Sequence, residues 1–165
     1  KKEVGNQKQK ITFAYKPSLN TMKEIKLEIN IEARNYNELT EEDRKLVDAA
    51  CKATQRSYAP YSHFSVGAAA LLENGVVVTG SNQENAAYPS GLCAERTTLF
   101  YANSQYPDQA VKTLAIAART EQDFLDTPIP PVVPADKCCW KLKSGLENQC
   151  VSYFTANRIF ISWKV

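Results

Sequence analysis

Residues 65–79 have the sequence SVGAAALLENGVVVT, which predicts two antiparallel strands joined by a tight turn. The first strand runs from Ser65 to Leu72, and its glycine and alanines indicate that another element packs closely against it. Asn74-Gly75 is the strongest short signal for a hairpin, and the β-branched run Val76 to Thr79 follows it. The elements on either side of this hairpin therefore determine the fold class.

Strands and helices alternate around the hairpin. Residues 25–31 alternate apolar and polar side chains, which predicts a half-buried strand. Thr40 and the three acidic residues after it predict a helix start, and this helix must end before Pro60. A second helix is predicted over Leu92 to Ser104, and a buried central strand over Lys112 to Ala118. The apolar residues that share one face of the first helix are Leu46, Val47, Ala50 and Ala53. The pattern predicts an α/β fold with a covered sheet.

Length and composition narrow the class of protein. The chain has 165 residues, with 44% hydrophobic and 23% charged residues, as expected for one globular domain. No apolar run reaches the ~20 residues that a membrane helix needs, and no secretory signal is apparent at the start. Five cysteines without an export signal favour a reducing compartment, so we expect a cytoplasmic protein without membrane association.

The net charge of +2 conceals an uneven distribution. Residues 1–21 carry five lysines and one glutamate, and residues 132–165 carry five basic and two acidic side chains. Residues 22–131 carry 10 basic and 15 acidic side chains, a net charge of −5. Neither end interleaves aromatic and basic residues, so nucleic acid is not an expected partner.

The lysine-rich residues 1–21 lack a clear period, and we interpret them as an N-terminal extension of low order. The only methionine, Met22, marks the predicted start of the domain over 22–165. Within that domain, the four prolines of residues 128–134 end the regular pattern.

Cys93-Ala94-Glu95-Arg96 lies at a predicted helix start, where backbone N–H groups favour a thiolate. A thiolate and a carboxylate two residues apart suit a metal ligand beside a proton-transfer group. On its own the spacing is weak, because a buried cysteine and a surface glutamate would give the same pattern.

Three segments together resemble the small cytidine deaminases. They are YAPYSHFSVGAA at 58–69, NQENAAYP at 82–89 and GLCAERT at 91–97, in the order and at the spacing of that family. The resemblance covers roughly residues 22–131. It implies a three-layer α/β/α fold with a mixed sheet, and a homotetramer as in similar proteins.

The resemblance also implies a reaction, the zinc-dependent hydrolytic deamination of cytidine or deoxycytidine in pyrimidine salvage. Cys93 matches the first of three cysteine zinc ligands, and Glu95 matches the general acid and base, which is not a ligand. Zinc lowers the pKa of its bound water, Glu95 takes the proton, and hydroxide attacks the pyrimidine to give uridine and ammonia. Arg96 matches an arginine that offsets excess thiolate charge, although a solvated helix residue is the alternative.

The implied substrate-binding residues come from the first two segments. Asn82 and Glu84 match the pair that binds the ribose 3′ hydroxyl, Phe64 an aromatic that packs on the base, and Tyr61 a ring that lines the pocket. Each could instead be ordinary structure: a polar strand end for the first pair, core for the aromatics. His63, the only histidine, lies outside the zinc site in the family pattern.

The resemblance breaks after about residue 131. The family supplies two more ligands as Pro-Cys-x-x-Cys, but here Cys138 and Cys139 are adjacent and diverge, so only one of three zinc ligands is intact. A shift of one base restores the motif with permitted codons, placing cysteines at Val132 and Ala135. Across residues 136–141 the shifted frame forces Gln or a stop, Leu, Leu and Glu, as the family motif continues.

We therefore interpret residues 132–165 as an out-of-frame tail. We expect the fold to be incomplete after about residue 131, without the closing strands. The alternative to an active enzyme is a catalytically inactive deaminase-like chain that lacks two zinc ligands.

Overall fold

The computed structural model describes residues 8–15, 25–125, 151–156 and 159–164. Its main elements are strands β1 (Lys8–Tyr15) and β2 (Ile25–Asn35), helix α1 (Glu41–Ala53), strands β3 (Ser65–Leu72) and β4 (Val77–Ser81), helix α2 (Ala94–Gln105), and strands β5 (Val111–Arg119), β6 (Val151–Ala156) and β7 (Ile159–Lys164). Single 3-10 turns cover Tyr36–Glu38, Thr54–Arg56 and Tyr88–Ser90. Neither α-helix in the described part of the chain has the length and apolar character needed to span a bilayer.

The seven described strands form one mixed sheet in the order β1-β2-β7-β6-β5-β3-β4. β5 and β6 are parallel, and every other neighbouring pair is antiparallel. The predicted hairpin is confirmed: β3 and β4 pair around the turn at Gly75, whose φ of 83° suits glycine. The predicted central strand is also confirmed, because β5 lies between β3 and β6.

Helix α1 begins as its sequence predicts. The Thr40 hydroxyl accepts a hydrogen bond from the Asp43 N–H at 3.1 Å, which satisfies one of the free donors of the first turn. The helix gives way to a 3-10 turn at Thr54, before Pro60. Its four predicted core residues are all buried: Leu46, Val47, Ala50 and Ala53.

The two helices cover opposite faces of the sheet. Side chains alternate along a strand, so neighbours in β3 point to different faces. Ala69 and Leu71 pack with α1, together with Ala115 and Ala117 of β5. The intervening Ala68 and Ala70 pack with α2, together with Leu114 and Ile116. The predicted three-layer α/β/α arrangement is therefore confirmed.

Glycine allows both helices to approach the sheet closely. A Cβ on Gly67 would overlap the Ala50 carbonyl oxygen of α1. A Cβ on Gly80 would lie 2.8 Å from the Thr98 nitrogen of α2. The backbone of each helix thus occupies the space that a side chain would fill. The glycine and alanines of β3 predicted such close packing, and the contact between Gly67 and α1 confirms it.

The prediction that no closing strands form after residue 131 is wrong. β6 pairs with β5, and β7 joins β6 to β2, so both edges of β5 are paired. The sequences VSYFTA and IFISWK are rich in β-branched and aromatic residues, which favour strands regardless of their origin. The origin of residues 132–165 from a shifted frame stays a prediction.

The low order predicted for residues 1–21 does not extend to residues 8–15. These residues form β1, which pairs along its whole length with β2. The alternation of Ile11, Phe13 and Tyr15 with Lys10, Thr12 and Ala14 is the period of a strand, and the lysines masked it. The division of the chain at Met22 stays a prediction.

We predict that Gly67→Ala destabilises the fold because the new methyl group meets helix backbone that cannot rotate away. Overpacking of this kind costs about 1–3 kcal/mol. Urea unfolding measures the change in the free energy of unfolding. Gly91→Ala is the matched control, since its φ is −64° and its Cβ would meet nothing closer than 3.4 Å. Equal stability of the two variants would contradict the packing described here.

Candidate active site

Backbone hydrogen bonds bring the three family-like segments together. Gln83 and Leu92 exchange N–H···O bonds of 2.8 and 2.9 Å. On the other side of the same strand end, the Tyr58 N–H donates to Asn82 O at 3.0 Å, and the Glu84 N–H donates to Tyr58 O at 2.8 Å. The segment 82–84 therefore lies between residue 58 and residue 92, next to the start of α2.

Cys93 and Glu95 lie at that helix start. Cys93 has extended backbone and is the residue before the first turn of α2, where its carbonyl accepts from the Thr97 N–H at 3.0 Å. Glu95 is in the first turn and is only 3% exposed. The Glu95 carboxylate lies close enough to the Cys93 thiol to raise the pKa of that thiol. The alternative in which Glu95 is a surface residue is excluded by its burial.

Burial raises the pKa of the Cys93 thiol to about 11, and the negative charge of Glu95 adds to the effect. The Arg96 N–H, which donates to the sulfur, lowers the pKa but does not outweigh these two causes. The prediction that the helix start favours a thiolate is therefore wrong for the chain by itself. Desolvation and a neighbouring carboxylate outweigh the free N–H groups of the first turn.

The described residues do not by themselves fit a zinc site. A catalytic zinc ordinarily has three protein ligands, and the described part of the chain contains no cluster of three or more His, Cys, Asp or Glu side chains that could hold a metal. Cys51 lies in α1, on the opposite face of the sheet from α2. Outside the described residues lie Cys138, Cys139 and the positions Val132 and Ala135.

The buried Asn82 side chain joins the strand end to the preceding loop. Its Oδ1 accepts from the Val66 N–H at 2.8 Å, and its Nδ2 donates to Phe64 O at 2.9 Å. Counting bonds to the described residues, one amide hydrogen and one acceptor position of Asn82 remain for another partner. Asn82 is therefore more than a polar strand end, since it closes the base of the loop over residues 58–66.

The Glu84 carboxylate holds the tip of the same loop. Its Oε2 accepts from the N–H groups of Tyr61 and Ser62 at 3.0 and 3.3 Å, and its Oε1 accepts from the Ser62 hydroxyl. The hydrogen bond from Ser62 is the main reason that the pKa of Glu84 lies below its ordinary value, followed by that from the Tyr61 N–H. Asn82 and Glu84 thus fasten one loop at two points.

The two aromatic candidates differ in exposure. Tyr61 is 62% exposed, so it is not a core residue. Phe64 is partly buried, and its N–H donates to the Ser62 hydroxyl oxygen at 3.1 Å. Both rings are carried by the loop that Asn82 and Glu84 fasten.

His63 has a separate partner. Its Nδ1 lies 3.0 Å from the Glu121 carboxylate, and its φ of 54° is left-handed. In the described part of the chain it belongs to no cluster that could bind a metal, and its exclusion from the zinc ligands stays a prediction.

Among the described residues, Arg96 contacts an aromatic ring and no acid. Its guanidinium lies 5.5 Å from the centroid of the Phe100 ring, one turn further along α2. Its charge lowers the pKa of Cys93, although it is the smallest of the causes that act there. Its role in offsetting thiolate charge stays a prediction.

Ser62 is the site residue that sequence reasoning missed. Its hydroxyl links Glu84 to Phe64, which are both candidate binding residues. A signal was present: serine often accepts from the N–H two residues later in a turn, and Pro60 marks a turn here.

We predict that Glu84→Gln lowers the melting temperature near neutral pH, because the charged acceptor of three hydrogen bonds is lost. The folded-state pKa of Glu84 lies below 4.5, so its contribution is present above pH 4.5 and is lost as the pH falls through the folded-state value. The difference in melting temperature between the Glu84→Gln variant and the original chain should shrink at lower pH. Glu73→Gln, at an exposed turn residue, is the control. A difference that does not change with pH would contradict this account of Glu84.

Known proteins match this chain over the region that contains the same three segments. The family described as the cytidine and deoxycytidylate deaminase zinc-binding region matches residues 40–144. Cytidine deaminases of Halalkalibacterium halodurans and Sporosarcina psychrophila are each 43% identical to this chain, over 86 and 94 residues. These matches cover 52% and 57% of this chain and 61% and 62% of the relatives. The chain thus spans about three fifths of the length of these curated relatives.

Solved structures agree with the sequence matches. The crystal structure of cytidine deaminase from Burkholderia pseudomallei superimposes with a TM-score of 0.60 at 30% identity, over 74% of this chain and 91% of that one. The family match covers well over half of the chain and includes the loop, the strand end and the start of α2. The chain therefore belongs to the cytidine and deoxycytidylate deaminase family.

Proposed function

We propose that this chain carries the site for hydrolytic deamination of cytidine or deoxycytidine, with uridine or deoxyuridine and ammonia as products. The observation that carries the proposal is the buried Glu95 carboxylate, which lies beside the Cys93 thiol at the helix start next to the segment 82–84. A carboxylate held in a dry site next to a metal-binding sulfur is suited to moving protons during hydrolysis. The family match supports the same reaction, and pyrimidine salvage is the corresponding process.

Each site residue has a proposed role. Glu95 takes a proton from the attacking water and delivers protons to ring nitrogen N3 and to the leaving amine. Asn82 and Glu84 bind the sugar hydroxyl, since each retains hydrogen-bonding capacity after its contacts with the loop. Phe64 packs on the base, and the exposed Tyr61 lines the pocket.

The proposed cofactor is zinc, with Cys93 as one ligand. The family match supports zinc, whereas the described residues supply no complete ligand set. We propose that the two missing cysteines belong at the positions of Val132 and Ala135, and that a lost base near codons 130–131 removed them. Sequencing the DNA over codons 128–134 tests this directly.

The second candidate function follows from the two missing zinc ligands. Without two ligands, the chain is a catalytically inactive deaminase-like protein that keeps its fold and its nucleoside-binding loop. For the intact family member we propose a cytoplasmic homotetramer. The exposed aromatic side chains Phe100 and Tyr101 on α2 are suited to contact between copies.

We predict that the chain with the present sequence binds zinc at well below one ion per chain and does not deaminate cytidine. One intact cysteine ligand is too few for a catalytic zinc. Without bound zinc, no water with a pKa near neutrality is available to attack the pyrimidine ring. Zinc content after dialysis and the loss of cytidine ultraviolet absorbance measure the two properties. Stoichiometric zinc bound through Cys93 with Cys138 or Cys139, together with turnover, would contradict the prediction.

We predict that a frame-restored chain regains zinc and activity, and that Glu95→Gln in that chain removes the activity while keeping the zinc. Loss of the proton carrier should lower kcat by ~10²–10⁴-fold. Glu73→Gln is the matched control and should leave kcat unchanged, since Glu73 is exposed in the hairpin turn. Turnover by the Glu95→Gln chain at the original rate would show that Glu95 does not have the proposed role.

A further inference from the structure

Ser62 is the point at which two parts of the binding loop meet. Its hydroxyl hydrogen is donated to Oε1 of Glu84, and its hydroxyl oxygen accepts from the Phe64 N–H at 3.1 Å. A serine hydroxyl has one hydrogen, so the bond to Glu84 fixes the rotamer that leaves the oxygen free for Phe64. The same small group therefore holds a carboxylate on one side and an aromatic residue on the other.

The hydrogen bonds of Glu84 leave room for one more donor. An ionised carboxylate has about four acceptor positions, two on each oxygen. Both positions of Oε2 are taken by the N–H groups of Tyr61 and Ser62. Among the described residues, Oε1 accepts only from the Ser62 hydroxyl. One acceptor position remains, and it lies on the oxygen that Ser62 holds.

The loop itself is fixed independently of Ser62. Asn82 bonds to Phe64 O and to the Val66 N–H, and the backbone of Tyr58 is paired on both sides with residues 82 and 84. With Oε2 pinned by two N–H groups, the remaining freedom of the carboxylate is a swing of Oε1. The Ser62 hydroxyl is the contact that removes this freedom.

We propose that Ser62 is a positioning residue that directs the one open acceptor of Glu84 toward a single sugar hydroxyl of a bound nucleoside. It acts through Glu84 and does not itself touch the reacting atoms. The nature of the ligand rests on the proposed function, whereas the link between Ser62, Glu84 and Phe64 does not. Selection for sugars that carry a ring hydroxyl follows, because the open acceptor needs a hydrogen-bond donor and a ring hydroxyl is the donor that a sugar supplies.

Amide hydrogen exchange tests the link without any ligand. Ser62→Ala removes the acceptor of the Phe64 N–H, so exchange at Phe64 should become about fivefold to tenfold faster. Ser62→Thr keeps the hydroxyl and should restore slow exchange. Ser57→Ala is the matched control, since it removes a neighbouring hydroxyl that bonds to Ser65 instead. Unchanged exchange at Phe64 in Ser62→Ala would overturn the proposal.

Calorimetry with two nucleosides tests the selection for a ring hydroxyl in the same variants. Ser62→Ala should bind uridine about tenfold more weakly, while its affinity for 2′,3′-dideoxyuridine, which lacks the ring hydroxyls, should stay unchanged. Ser62→Thr should keep the preference for uridine. Equal weakening of both ligands, or no weakening of uridine, would overturn the proposal while leaving the proposed function intact. Failure of the original chain to bind either nucleoside would contradict the proposed function and the sugar selection with it.

Discussion

The arrangement of the site depends on the close contact between helix backbone and sheet at two glycines. At Gly80 of β4 the space for a side chain is filled by Thr98 of α2, and at Gly67 of β3 it is filled by the end of α1. Thr98 is one turn beyond Glu95 in α2. The contact at Gly80 therefore holds the start of α2 next to the segment 82–84, which follows Gly80 in the chain. The Thr98 hydroxyl donates to Ala94 O at 2.8 Å and lies 3.4 Å from Ala68 O of β3. Glu95 is buried because the helix lies this close.

The loop and the helix start are two different kinds of structure that meet at the segment 82–84. On one side, backbone pairing of Gln83 with Leu92 places Cys93 and Glu95. On the other, the side chains of Asn82 and Glu84 hold the loop by hydrogen bonds to its main chain. The polar groups proposed to bind a nucleoside are thus already oriented by contacts within the chain. Pre-orientation of this kind lowers the entropy lost on binding.

Much of the fold could be predicted because its signals are local. Thr40 and the acids after it start α1, and Asn74-Gly75 makes the hairpin, each through contacts with near neighbours. The strands β1, β6 and β7 were missed for a different reason. Lysines obscure the alternation in residues 8–15, and the frame shift predicted for residues 132–165 removes the expectation of strands despite the strand propensity of residues 151–164. Sheet membership depends on partners far along the chain, which a local pattern does not contain.

In the candidate site, too, local features could be predicted from the sequence, whereas features that depend on distant residues could not. The positions of Cys93 and Glu95 at a helix start followed from the sequence, whereas the raised pKa of Cys93 depends on burial that only the packed structure reveals. Ser62 was missed because its role depends on Glu84, which is 22 residues away. Residues whose function depends on a distant partner are the ones that pattern and spacing do not identify.

If the loop 58–66, the strand end 82–84 and the helix start 92–95 form one nucleoside site, a bound nucleoside must affect all three. Backbone amide NMR shifts, recorded while uridine is titrated into the chain, measure this. We expect amides of these three segments to shift together with a single dissociation constant, while those of α1, on the other face of the sheet, do not shift. Shifts concentrated in α1, or different constants for the three segments, would contradict a single nucleoside site.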